Sequence, residues 1–161
     1  MPDADMEMTV KAIAASAYGC AGQRCMAGSV AVAVGKAGDA LREGLVDFAR
    51  QLRVGPSDGD ESIAMGPVIR EEHRQRVAGY LDIAHNDGAE IALDGRLRKP
   101  TEAFLIGPSI VDHVRPPMRI YREEIFGPVL SLVRVQDLDE ALALGKQCSY
   151  GNGASIFTRS G

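Results

Sequence analysis

Two short runs without a charge, residues 29–34 (SVAVAV) and the VLSLV that opens 129–135, constrain the fold more than anything else in the chain. A half-solvated antiparallel strand leaves apolar and polar residues in alternation, whereas a strand buried on both faces leaves a continuous β-branched run. Helical patterns alternate with such runs. Met6, Val10, Ile13, Ala14 and Ala17 share one face over 5–18. Leu41, Leu45, Phe48 and Leu52 do so over 40–53, before the Gly55-Pro56 stop, and Val77, Tyr80, Leu81 and Ala84 over 71–86. A further helix is expected over 138–147, where Asp137 with Glu140 three residues on reads as an N-terminal cap with a reciprocal partner. Shorter strands are expected at 90–93, 104–111 and 154–157. Helices alternating with apolar strands predict an α/β fold, a largely parallel sheet flanked by helices. Repeats, low-complexity tracts and linkers are lacking, so 1–161 reads as one domain.

Composition excludes several classes. A net charge of −4 with scattered basic residues argues against a nucleic-acid surface. No apolar run approaches the roughly 18 residues that cross a bilayer, and the acidic MPDADMEM start is unlike a secretory leader. Three cysteines suit a reducing compartment better than a disulfide framework, so the cytoplasm is the expected location. Cys20 and Cys25 lack a second ligand pair for zinc, and His73, His85 and His113 lie far apart. Cys20 is expected as loop packing and Cys148 as buried filler. The polar loop 56–62 reads as solvated surface.

The chemistry concentrates in GCAGQRCMAG, residues 19–28, between a helical segment and a strand. A cysteine in a small-residue loop between regular elements can be exposed and aimed. Gly19 and Gly22 permit close approach or positive φ, and the Arg24 cation favours thiolate at Cys25. A buried structural cysteine fits that loop about as well. Downstream, Glu123-Glu124-Ile125-Phe126-Gly127-Pro128-Val129 places two carboxylates and a phenyl ring ahead of the second apolar run. A carboxylate can accept from a sugar diol and a ring can pack on a flat heterocycle, although such acids are more often solvated and such a Phe more often core. Asn152, in YGNGASIFT (150–158), fits a turn equally well.

Together these segments resemble the aldehyde dehydrogenase family. GQRC (22–25), EEIFGPV (123–129) and YGNGASIFT occur in the family's order and at a typical spacing, and GQRCMA and YREEIFGPVL look most like its CoA-acylating, methylmalonate-semialdehyde branch. The resemblance covers the whole chain and implies the cysteine-bearing catalytic domain. It implies Cys25 as the nucleophile, its backbone N–H as an oxyanion donor, Glu124 on the nicotinamide-side ribose of NAD, Phe126 beside the nicotinamide, and Asn152 on the active-site wall. Arg24 would bind the carboxylate of a semialdehyde substrate; a structural ion pair is the other role open to it. Coenzyme A would be the co-substrate.

The resemblance also implies what lies outside these residues: an NAD-binding Rossmann domain of the same full-length chain, the side-chain amide that completes the oxyanion hole, the position of a hydrolytic general base, and the segments of a homo-oligomer. The excised domain is expected to be inactive alone, with apolar surface exposed where the cofactor domain docks. A hydrolytic NAD(P)-dependent aldehyde dehydrogenase is the alternative enzyme, and an inactive fragment or interaction module that keeps the fold is the alternative of another class.

Overall fold

A computed structural model describes residues 1–56, 58–97 and 104–160. Its elements run α1 (Met6–Tyr18), β1 (Val30–Val34), α2 (Ala37–Gln51), α3 (Glu71–Asn86), β2 (Glu90–Leu93), β3 (Ser109–Asp112), α4 (Arg119–Arg122), β4 (Val129–Val135) and α5 (Leu138–Gln147). Four strands form one sheet in the order β1-β4-β3-β2. β4 pairs in parallel with β1, Val30 opposite Ser131, and with β3, Ser109 opposite Val129. The edge strand β2 runs antiparallel to β3 with a register shift between Ile91 and Leu93. The sheet is therefore mixed: two parallel pairings around the central β4, and one antiparallel pairing at the edge.

The two charge-free runs become β1 and β4. Central β4 is buried at every position but Arg134, whereas β1 leaves Val30 exposed and Val32 half-buried because it lies at the sheet edge. Val77, Tyr80, Leu81 and Ala84 of α3 are buried as the 3.6-residue periodicity predicts, and so are Leu41 and Leu45 of α2; Phe48 and Leu52 are only half-buried, and Val46 and Ala49 complete that face of the core. Asp5 caps α1 by accepting from Met8 N, and Asp137 caps α5 by accepting from Glu140 N. The Glu140 carboxylate reaches back to Gln136 N, 2.7 Å away, which completes the reciprocal arrangement one residue earlier than the usual capping box.

One buried charge needs explanation. Asp112 at the end of β3 has a fully buried side chain; it accepts from Arg134 Nε and Nη2 at 3.1 and 2.7 Å and from His113 N at 2.6 Å. Arg42 Nε of α2 stands 3.3 Å away and also pairs with Glu90 of β2. Burial pushes the Asp112 carboxyl up, but the Arg134 and His113 bonds outweigh it and hold the group below the usual carboxylate range. An unpaired carboxylate there would be costly; the guanidinium pair ties α2 to three strands.

Three expectations are corrected. The strand expected at 104–111 is confined to Ser109–Asp112, and 104–108 is irregular, since Gly107-Pro108 interrupts the ladder. Residues 154–157 form no strand; the segment is mostly exposed, and Phe157 O accepts from the Met1 ammonium instead. Cys148 is exposed at the end of α5 rather than buried. In the loop 56–62, Ser57 lies outside the described residues; Pro56 and 58–61 are exposed, and Ser62 N and Oγ donate to Asp60. Among the described residues no helix is long and apolar enough to cross a membrane.

Candidate active site

The parallel pairing of β1 with β4 decides where the site lies. The cysteine segment leads into the start of β1 and the EEIFGPV segment into the start of β4, so both enter at the same end of the sheet. After α1 the chain reverses through Cys20 and Ala21, both left-handed at φ 52 and 53, and Gly22 at φ 69. A left-handed L-residue costs about 1–2 kcal/mol, so Cys20 and Ala21 are held there by their surroundings. Gly22 is required twice over. Its φ is positive, and a Cβ on it would stand 2.3 Å from the Gly127 carbonyl oxygen. The two motif segments thus touch backbone to backbone, three residues before Cys25 and one after Phe126.

Cys25 follows in a turn closed by Ala27 N donating to Arg24 O, and its side chain is exposed. Asn152 Nδ2 donates to Cys25 O at 2.8 Å, so the structure brings the expected wall residue onto the backbone of the cysteine expected as nucleophile. Among the described residues no group accepts from the Cys25 N–H. Arg24 is exposed, and its Nη2 donates to Ala15 O and Ser16 O, carbonyls in the last turn of α1, at 3.1 and 3.0 Å. The guanidinium lies against Gly19, where a Cβ would meet it at 2.7 Å. Gly19 thus provides room rather than positive φ, and Arg24 serves here as the cation at a helix C-terminus.

Glu124 carries an exposed carboxylate with no bonded partner among the described residues. Phe126 is 37% exposed. Its φ of 57 is an outlier for a bulky residue. The backbone of this segment is held by α3: Arg76 donates to Glu124 O at 2.7 Å and Ile125 O at 3.3 Å, and His73 Nε2 lies 2.7 Å from Phe126 O. A carbonyl only accepts, so that Nε2 carries the hydrogen. Glu123 takes two bonds from Arg119 and one from Tyr80 Oη at 2.8 Å, and these, Arg119 foremost, hold its carboxyl near 2. Burial, with the Glu123 bond second, pushes the Tyr80 phenol up.

An exposed carboxylate beside an exposed ring, both on a fixed backbone, fits the diol and flat heterocycle of a nicotinamide nucleoside. A metal has no such fit: among the described residues no group of three His, Cys, Asp or Glu could hold one. Sequence reasoning missed His73, Arg76 and Gln23, whose Oε1 accepts from Ile69 N at 3.0 Å. The first two were legible only as polar positions flanking the apolar face of α3. Cys20 and Cys148 are exposed free thiols and Cys20 does not pair with Cys25.

The aldehyde dehydrogenase family pattern matches residues 1–161. Malonate-semialdehyde dehydrogenase 1 of Bacillus licheniformis is 47% identical over 161 residues, covering 100% of this chain and 33% of its own. Among solved structures, methylmalonate-semialdehyde dehydrogenase from Oceanimonas doudoroffii superposes with a TM-score of 0.96 at 48% identity, covering 100% of this chain and 34% of that one. A protein of Sinorhizobium meliloti 1021 named for the same activity and solved with NAD gives 0.96 at 44% identity, with 100% and 33% covered. The chain spans about a third of the length of these relatives.

Proposed function

The chain belongs to the aldehyde dehydrogenase family, and on that premise we propose that it is the cysteine-bearing catalytic domain of a CoA-acylating semialdehyde dehydrogenase acting on malonate or methylmalonate semialdehyde. The observation that carries this reading is the contact of Gly22 with Gly127, which joins the cysteine loop to the exposed Glu124 and Phe126. The names of its relatives support the substrate class.

Cys25 attacks the aldehyde carbon as thiolate and forms a thiohemiacetal. Its own N–H, which no described group accepts from, donates to the developing oxyanion, the place where a fixed donor lowers the barrier most. Asn152, bonded to Cys25 O, fixes the peptide and thereby the aim of the sulfur. Glu124 accepts from ribose hydroxyls, and Phe126 packs beside the nicotinamide. When bound there, NAD supplies the two-electron acceptor that turns the thiohemiacetal into a thioester on Cys25. The thiol of CoA, giving up its proton, then attacks the thioester carbonyl, takes the acyl group as acyl-CoA and releases Cys25 as the thiolate. Breaking the C–C bond to the substrate carboxylate releases carbon dioxide, or bicarbonate once water adds, and the carbon that held it takes up a proton, so the product is acetyl-CoA or propionyl-CoA. Arg24 would meet that carboxylate with the guanidinium edge left by its two carbonyl bonds.

The full-length protein that carries this chain, given methylmalonate semialdehyde and NAD with and without CoA, should turn over steadily only with CoA and yield propionyl-CoA by mass. Steady turnover to a free acid without CoA would place it in the hydrolytic branch. A Cys25 that is no more reactive toward iodoacetamide than Cys148, with no turnover, would make the domain an interaction module.

A further inference from the structure

The face of α3 that meets the EEIFGPV segment carries more polar groups than packing requires. His73, Arg76 and Tyr80 lie three and four residues apart, on one side of the helix. Between them they engage the carbonyls of Glu124, Ile125 and Phe126 in succession, and the Glu123 carboxylate. Arg76 also stacks on the Tyr80 ring, its guanidinium carbon 5.5 Å from the centroid, which restricts the guanidinium to the plane from which it reaches two carbonyls. Val77, buried in the same turn, anchors this face to the core.

We propose that His73 and Arg76, with Tyr80 bracing Arg76, are positioning residues that aim Glu124 and Phe126 for the nicotinamide nucleoside. This rests on the functional reading above. A Phe at φ 57 left to itself returns to an ordinary backbone region, which would swing its ring and the neighbouring carboxylate away from their present direction. The His73 bond to Phe126 O and the Arg76 bonds to the two preceding carbonyls hold the segment against that return. None of the three needs to touch the cofactor; they act on the backbone while the Glu124 side chain stays exposed.

The test uses the full-length protein carrying this chain, with Arg76→Met, Arg76→Lys, His73→Leu, His73→Gln and Tyr80→Phe. NAD affinity is measured by calorimetry, KM for each substrate by turnover, and amide exchange across 123–130 by mass spectrometry. Arg76→Met should raise the NAD Kd and KM about tenfold, or about 1.4 kcal/mol. The aldehyde KM should change less than twofold, and exchange at 124–127 should rise about tenfold while the rest of β4 keeps its protection. Arg76→Lys should recover only part of this, since one ammonium nitrogen does not reproduce the planar fork whose Nη1 and Nη2 reach two successive carbonyls. His73→Leu should weaken NAD about fivefold, and His73→Gln, a neutral donor of similar reach, should restore it; Tyr80→Phe, which keeps the ring against Arg76 and loses only the Glu123 bond, should stay within about twofold of the wild type. Unchanged NAD affinity and exchange in both Arg76→Met and His73→Leu overturns the proposal. So does an equal rise in both KM values, which marks a general folding defect. A wild-type protein that binds no NAD overturns the functional reading and removes the target of the positioning; the exchange data then report separately whether α3 holds the loop.

Discussion

Replacing Gly22 by alanine should be among the most damaging single-methyl changes this chain can receive. The added carbon would lie 2.3 Å from Gly127 O, 2.6 Å from Gly127 C and 3.0 Å from Ala17 O. All three are backbone atoms, so no rotamer change relieves the clash, and the loop or the start of β4 must move. Left-handed φ costs an alanine about 1–2 kcal/mol, and overpacking typically adds about 1–3 kcal/mol. Reduced freedom of the unfolded chain returns roughly 0.4–1 kcal/mol. The net loss is about 3 kcal/mol, a Tm lower by about 6–12 °C for a domain of this size. Gly59→Ala isolates the backbone part, because Gly59 is at φ 83 with nothing within 4 Å; it should cost about 1 kcal/mol by the same reckoning. Gly79→Ala, in α3 with open space around it, should gain up to about 1 kcal/mol of helix propensity. Melting followed by circular dichroism gives all three. Equal losses for Gly22→Ala and Gly59→Ala would refute the contact between the two motif loops, and with it the juxtaposition on which the site is built.

Other outcomes follow from the charges. Glu123 titrates near 2 in the folded chain because Arg119 and then Tyr80 bond its ionised form, against about 4.3 for a free glutamate. Its folded pKa is depressed, so its contribution is complete above about pH 4.3 and is lost as pH falls through about 2. Glu123→Gln should therefore flatten the decline of Tm across that window and leave the slope above pH 5 unchanged; an identical acid profile would dismiss the Arg119 and Tyr80 bonds. Asp112→Asn should lose about 3 kcal/mol by leaving two guanidinium groups facing a neutral amide in a buried site, and a chemical denaturation midpoint that does not shift would contradict the pairing. Arg24→Lys should raise the KM for a carboxylated aldehyde well beyond that for propanal, since a point charge replaces a fork. Equal effects on both aldehydes would leave Arg24 with its α1 carbonyls alone.

Elements with local signatures were legible in the sequence. The α2 and α3 faces follow from the spacing of Leu41, Leu45, Val77 and Leu81, the α5 cap from Asp137, and β4 from a run whose burial on both faces excludes charge. The four-residue α4 was not legible, because one turn is too short to show a period. The strand expected at 154–157 failed for a related reason: an apolar tetrad has no partner unless a free sheet edge lies beside it, and this one crosses to the N-terminus instead. The motif residues Cys25, Glu124, Phe126 and Asn152 were readable as a set only through resemblance, since singly each has an ordinary structural role.

What the chain alone determined is most of the helices and strands and the chemistry available: a thiol, a carboxylate, an aromatic ring, an amide. Tertiary structure decided which of these meet. Strand order is set by hydrogen bonds between residues far apart in sequence, such as Val30 opposite Ser131, and no periodicity within either strand encodes that choice. Once β1 and β4 lie side by side in parallel, their incoming loops share one end of the sheet. Gly22 then closes on Gly127, Asn152 reaches Cys25, and α3 takes hold of the carbonyls beneath Glu124 and Phe126.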